Sequence, residues 1–193
     1  MPRIEILTEE PSMQVVLENI LPKIVSSNWE LGHNYFIRAH EGKSDLQKSI
    51  PKKIKVFSHY HEPAGVIIIH DQDANDCKVL KRKLSDMCIQ NGDCPVLIRI
   101  ACRELEAWFL GDMQAIQTAY PRFKMEKFVR KDKFRNPDNL NAAEELKTLL
   151  PEFQKIASAK AISKYLSLQT DDNKSESFRQ FIIGISSFFQ QFE

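Results

Sequence analysis

The segment Gly65-Val66-Ile67-Ile68-Ile69-His70-Asp71-Gln72-Asp73 constrains this chain more than any other. Four consecutive apolar residues, three of them isoleucine, read as a strand covered on both faces, the usual condition of an inner strand in a parallel sheet. Within one residue the chain turns to His-Asp-Gln-Asp. Side chains two apart on an extended segment point the same way, with Cα atoms about 6.5–7 Å apart. Asp71 and Asp73 are therefore expected to converge at the strand's carboxyl end, where ligands bind in an open α/β sheet. Two carboxylates held together repel, so the pair takes up a proton or recruits a cation. A hard ion such as Mg²⁺ or Mn²⁺ suits such oxygen donors best. An Asp-x-Asp after a strand equally suits a turn, or a cap and first-turn acid for the next helix. Ala74 to Leu80 reads as the start of that helix, with Asn75 or Asp76 as its own cap. The motif alone is compatible with both readings.

The rest of the N-terminal half repeats the alternation of strand and helix. Arg3 to Thr8 reads as a strand, followed by a helix with Ser12 as N-cap and Met13, Val16, Leu17, Ile20, Leu21 and Ile24 on one stripe, kinked or ended by Pro22. His33 to His40 reads as a strand, Asp45 to Phe57 as a helix broken near Pro51, and Val66 to Ile69 as the third strand. A helix from about Asn75 to Ile89, stopped by Asn91-Gly92, leads to a fourth strand over Pro95 to Ala101. Helix-length crossovers in βαβ order predict a mostly parallel sheet flanked by helices. After Gly111 no strand pattern recurs. Helical stretches over Leu140 to Leu150 and Phe153 to Leu168, then a Phe-rich amphipathic helix after a polar stretch, predict a C-terminal helical subdomain. The division is residues 1–111 as α/β core and 112–193 as helices packed on it.

Composition narrows the class. With 193 residues, 42% of them hydrophobic and 27% charged, the chain is ordinary for a globular protein. No apolar stretch approaches the ~20 residues of a membrane span, and Met-Pro-Arg-Ile-Glu-Ile-Leu is not a signal-peptide pattern. Cys77, Cys88, Cys94 and Cys102 form no Cys-x-x-Cys pair, so reduced thiols and a cytoplasmic location are expected. A net charge of +1 argues against a dedicated nucleic-acid coat but leaves local patches free to bind.

Three strand ends offer acids to one sheet edge: Glu9 and Glu10, Asp71 and Asp73, and Glu104 and Glu106. On a helix starting there, Glu104 and Glu106 lie about 200° apart, so only one faces the edge. The bland alternative is that each acid favours a helix N-terminus by a few tenths of a kcal/mol.

Glu9 after the first strand and Asp71-x-Asp73 after the third resemble the signature of Toprim domains, the fold shared by topoisomerases, primases and nucleases of the overcoming-lysogenisation-defect type. His40-Glu41-Gly42-Lys43, His70-Asp71-Gln72-Asp73 and Arg103-Glu104-Leu105-Glu106-Ala107-Trp108 are similar to a bacterial Toprim-like family. That likeness extends through Asn136-Pro137-Asp138 and Ser175-x-Ser177-Phe178. Such proteins are often encoded beside an AAA or ABC-type ATPase in contexts of phage defence. The resemblance implies Glu9 as general acid/base or metal ligand, Asp71 and Asp73 as metal ligands, and Glu104 or Glu106 as a ligand for a second ion. The pattern's glycine and second acid are Glu10 and Met13 here, so one ligand for a second ion is missing.

For binding, Arg122 to Arg135 holds seven Lys/Arg against two acids with Phe123, Phe128 and Phe134 interleaved. Arg122, Lys124, Arg130, Lys131, Lys133 and Arg135 suit phosphates and the rings suit stacked bases. The alternative is a solvated helical face whose phenylalanines are core. Lys78, Lys81, Arg82 and Lys83 read as the outer face of a helix, Trp108 as packing, and His59-Tyr60-His61 as a loop. Arg103 flanks the acids, and Lys155 is the lysine best matched to the family pattern for a phosphate or leaving-group contact. The expected function is a Mg²⁺- or Mn²⁺-dependent nuclease on DNA or RNA working with a partner ATPase, as monomer or homo-oligomer. The alternatives are a non-catalytic or regulatory Toprim-like subunit that docks on the ATPase, and a small-molecule phosphotransfer or hydrolysis enzyme using the same acidic edge.

Overall fold

Val66 and Ile68 face one layer of helices, Ile67 and Ile69 the opposite layer, and all four are buried. The computed structural model describes residues 1–193. In chain order the elements are β1 (Arg3–Thr8), α1 (Pro11–Ile20), β2 (Tyr35–Ala39), α2 (Lys43–Ser58), β3 (Ala64–Asp71), α3 (Cys77–Ile89), β4 (Val96–Ala101), α4 (Glu106–Gly111), α5 (Met113–Ala119), α6 (Ala142–Leu149), α7 (Lys155–Ser163) and α8 (Glu176–Gln190). The strands form one sheet in the order β2-β1-β3-β4, every pair parallel. The chain moves outward from β1 to β2 and then crosses back to β3 on the other side. That reversal opens a crevice beyond the carboxyl ends of β1 and β3, where open α/β sheets bind ligands.

On one face, Leu46, Ile50, Ile54 and Phe57 of α2 and Leu80, Leu84 and Cys88 of α3 bury against Leu7, Val66, Ile68, Ile98 and Ile100. On the other, a continuous cluster of 35 buried residues runs from Ile4 through α1 and α4 to Phe189 of α8. The helices beyond residue 112 therefore share one core with the sheet. Gly65 lets two rings press onto β3: a Cβ there would stand 2.7 Å from Phe192 Cζ and 2.8 Å from Phe188 Cζ. No helix is long and apolar enough to cross a membrane.

Several local expectations shift. α1 begins on Pro11 with Glu10 as N-cap, so Ser12 lies inside the helix, buried and not capping. β2 starts at Tyr35, because Asn34 is used in the preceding loop, accepting from Glu30 N at 2.7 Å and donating to Asn28 O at 2.7 Å. α2 begins at Lys43 and runs unbroken through Pro51. A proline in a helix costs about 3 kcal/mol, whereas the four side chains α2 buries each gain about 1.5–3 kcal/mol. β3 is longer than its isoleucine run and ends on Asp71. Asp76 caps α3, accepting from Lys78 N and Val79 N, both at 2.9 Å. Arg122 to Arg135 is not a helical face but loop with single 3₁₀ turns at Met125–Lys127 and Asp132–Phe134.

Candidate functional site

β1 delivers Glu9 and β3 delivers Asp71 to the two sides of the crevice. Glu9 is buried, and its Oε2 accepts from Asp71 N at 3.3 Å and lies 3.0 Å from Nδ1 of the wholly buried His70. The His70 tautomer follows from its neighbours. Gln47 Oε1 accepts from Lys83 Nζ at 2.9 Å, which turns the Gln47 amide nitrogen toward His70 Nε2 at 3.0 Å. Nε2 therefore accepts, and Nδ1 carries the proton toward Glu9 and the Asp71 carbonyl, 2.6 Å away. A chain Lys83–Gln47–His70–Glu9 thus ties α3 and α2 to the site.

The third acid comes from α4, all six of whose residues are buried. Trp108 anchors that helix: its Nε1 donates to Ser177 Oγ at 3.0 Å, and its ring lies 4.8 Å from that of Phe181. With the helix pinned, Glu106 is 1% exposed and neither of its carboxylate oxygens has a hydrogen-bond partner. Burial pushes the Asp71 carboxyl well above the usual range, and Glu106, Glu9 and Glu10 add to the push against Lys155. Burial also raises Glu106, with Lys155 opposing and Glu104 and Glu10 reinforcing. Glu9 rises by burial too, despite His70.

Asp73 reaches this trio through its charge, which helps to raise Glu9. It is not extended but left-handed at φ 53°, as is Arg103 at φ 57°, a conformation uncommon outside glycine. Strand alternation therefore does not align Asp73 with Asp71, and its carboxylate pairs with Lys43 Nζ at 3.1 Å. A second lysine, Lys155, pairs with Glu10. Each side of the acidic edge thus carries one ammonium group.

The structure sorts the remaining candidates. Glu104 turns away and accepts from Ala143 N at 2.9 Å, capping α6, so Glu106 is the acid of that pair beside Asp71. Arg103 Nη1 donates to Asn141 Oδ1 at 2.6 Å across a cleft of about 550 Å³ lined by Gln72, Asp73, Asn75, Arg103, Glu104 and Asn141. Lys133 pairs with Glu145 at 2.6 Å, Arg135 with Asp132 at 3.0 Å, and Lys131 lies 4.9 Å from the centre of the Phe128 ring. Arg122, Lys124 and Arg130 are exposed. Phe123 and Phe134 are buried and Phe128 packs between them, so these rings belong to the core. Sequence reasoning missed Gln47, Lys83 and Lys43. Only Lys43 had a signal, its place beside Gly42 in a motif already noted.

No three His, Cys, Asp or Glu side chains stand close enough to hold a metal ion as they lie. The donor set nevertheless fits a hard divalent cation in kind. The donors are carboxylate oxygens only, raised in pKa chiefly by burial, with the Glu106 oxygens unpartnered in the interior.

The fold is similar to that of the C-terminal region of the OLD protein of Xanthomonas campestris pv. campestris. Its iodine-phased structure matches at a TM-score of 0.50 and 13% identity over 99% of this chain and 97% of that one. The mercury-phased structure matches at 0.47 and 14% identity, covering 99% and 98%. No curated protein matches. Residues 8–186 match the family described as "Domain of unknown function (DUF4276)", and the chain belongs to that family.

Proposed function

We propose that the chain is a divalent-metal-dependent nuclease, hydrolysing phosphodiester bonds in DNA or RNA with Mg²⁺ or Mn²⁺. In the same reading it is an effector in phage defence, served by a partner ATPase of the AAA or ABC type. The observation that carries the reading is the Glu106 carboxylate, interior and without a partner, beside Asp71 and Glu9 at the β1/β3 crevice. An unpaired buried carboxylate costs several kcal/mol, and a bound cation removes that cost. The Toprim-like motifs and the OLD-like fold agree with it.

A divalent ion held by these acids supplies Lewis acidity at a phosphate oxygen and a more acidic water. Asp71 and Glu106, with Glu9 beside them, would hold it. His70 keeps Glu9 in place through Nδ1, and burial raises the Glu9 carboxyl, which suits it to take up a proton and pass it on. Lys155, at the mouth, reaches a phosphate or a leaving oxygen once released from Glu10. Plasmid DNA and total tRNA incubated with Mn²⁺ should be cut by wild type and not by Asp71→Ala, with a clear gain on adding the ATPase. Cutting that survives Asp71→Ala assigns the activity elsewhere.

One observation favours a second reading, a non-catalytic Toprim-like subunit docked on an ATPase. Met13, where the resembled pattern has its second acid, is 4% exposed in the core, so α1 brings no further carboxylate to the edge. Stable ATPase binding without cleavage under any condition decides for it.

A further inference from the structure

The charge of this molecule is not spread evenly. α2 and α3, neighbours in one layer, carry nine lysines and arginines against two aspartates, a net +7 in 29 residues. The whole chain is +1, so everything else sums to −6. Three of the nine are engaged: Lys43 with Asp73, Lys53 with Glu5 and Lys83 with Gln47. Lys48, Lys52, Lys55, Lys78, Lys81 and Arg82 are exposed and make no ion pair. Lys48, Lys52 and Lys55 fall at i, i+4 and i+7, opposite the buried Leu46, Ile50 and Ile54, so they form one outward row. Lys78 and Arg82, at i and i+4, form a second row on α3.

Resting on the nuclease reading above, we infer that the α2/α3 layer is the track for the substrate's sugar-phosphate backbone, and that the substrate it carries is a duplex. Three features choose that occupant. Like charges at this density repel one another unless a polyanion neutralises them. The rows lie on helices packed side by side in one layer, so they present one basic face to a single extended polyanion. Single-strand sites add stacking rings, whereas Phe57, the one aromatic of the two helices, is buried. The track also leads to the cleft that Asp73 and Glu104 line. A groove of about 270 Å³ between the starts of α2 and α3, lined by Lys43, Ser44, Gln47, Asn75, Asp76 and Lys83, meets the larger cleft at Asn75, two residues beyond Asp73. The net −6 of the remaining molecule keeps a polyanion to this side. The stretch Arg122 to Arg135, with Arg135 paired to Asp132, Lys133 paired to Glu145 and its phenylalanines in the core, is the competing surface.

The test is binding of a labelled DNA duplex in EDTA, across a range of KCl concentrations, read by anisotropy. Wild type should bind with a steep salt dependence. Lys48→Gln/Lys52→Gln/Lys55→Gln should lower the slope of log Kobs against log [salt] by about 3, and Lys78→Gln/Arg82→Gln by about 2. Arg122→Gln/Lys124→Gln/Arg130→Gln should change it by less than about 1. An unchanged slope in the α2 and α3 variants, a larger loss in the competing triple, or tighter binding of the single strand overturns the track. Cleavage with Mn²⁺ separates this from the parent reading. A chain that binds duplex through these rows yet never cuts overturns the nuclease and leaves the track. Cutting undiminished by loss of all five side chains overturns the track and leaves the nuclease.

Discussion

Glu106 and Glu5 are both buried acids, and their neighbours give them opposite consequences. Around Glu106, Asp71 and Glu9 the folded state disfavours the charged form, so protons bind more tightly folded than unfolded. Stability in EDTA should therefore rise as pH falls from 7 toward about 5, where the unfolded carboxyls begin to titrate. Asp71→Asn/Glu106→Gln should flatten that rise and melt no lower than wild type at pH 7, read by thermal denaturation. A double variant that melts well below wild type would make these acids structural. For Glu5, burial alone would raise the carboxyl, but Lys53 at 2.7 Å and Arg38 at 3.0 Å outweigh it and hold it below its ordinary value. Its contribution is present above the unfolded pKa and lost as pH falls through the lower folded one. Glu5→Gln should cost about 1–3 kcal/mol at pH 7, a gap that closes below about pH 4. A gap independent of pH would show that shape, not charge, holds Glu5.

Elements were legible where burial sets a period and obscure where polar groups set the boundary. The isoleucine run fixed β3 because both faces are covered, and the period of Leu46, Ile50 and Ile54 announced α2. The expected break at Pro51 failed because local propensity lost to four buried side chains. How α4 docks was not readable, since it depends on partners about 30 to 70 residues away. Asp138 accepts from Ser175 Oγ at 2.6 Å and Ser177 N at 2.8 Å, and Ser177 Oγ in turn accepts from Trp108 Nε1. Asn173 Nδ2 donates to the Trp108 carbonyl at 3.0 Å. These bonds lock α8 to α4 and so aim Glu106. Asp138→Ala leaves several buried donors unpaired and should cost about 2–5 kcal/mol, with a red shift of Trp108 emission. A loss below about 1 kcal/mol would mean that apolar packing alone positions α4.

Across the whole molecule, the sequence placed acids at three strand ends, and the parallel order β2-β1-β3-β4 brings those ends to one edge. It could not tell which acid of each pair turns inward. Glu106 is inside because α4 is pinned, Glu104 is spent on α6, and Asp73 leaves the strand's alternation through its left-handed backbone. Nor did net charge reveal that one layer is strongly basic, since +1 is the remainder of large opposing sums. The edge is costly to the fold without a cation, so cation binding should be visible as stability. Free ion at about 100 times its Kd stabilises the folded state by about 2.7 kcal/mol. For a chain of this size each kcal/mol moves Tm by about 2–4 °C. Mn²⁺ at that excess should therefore raise Tm by roughly 5–11 °C, Mg²⁺ should act at higher concentration, and monovalent salt at equal ionic strength should do neither. Asp71→Asn/Glu106→Gln should lose the Mn²⁺ gain while retaining its own Tm in EDTA. Replacing Glu104, which caps α6, should leave the gain in place. A double variant stabilised by Mn²⁺ as strongly as wild type would place the ion elsewhere on the chain.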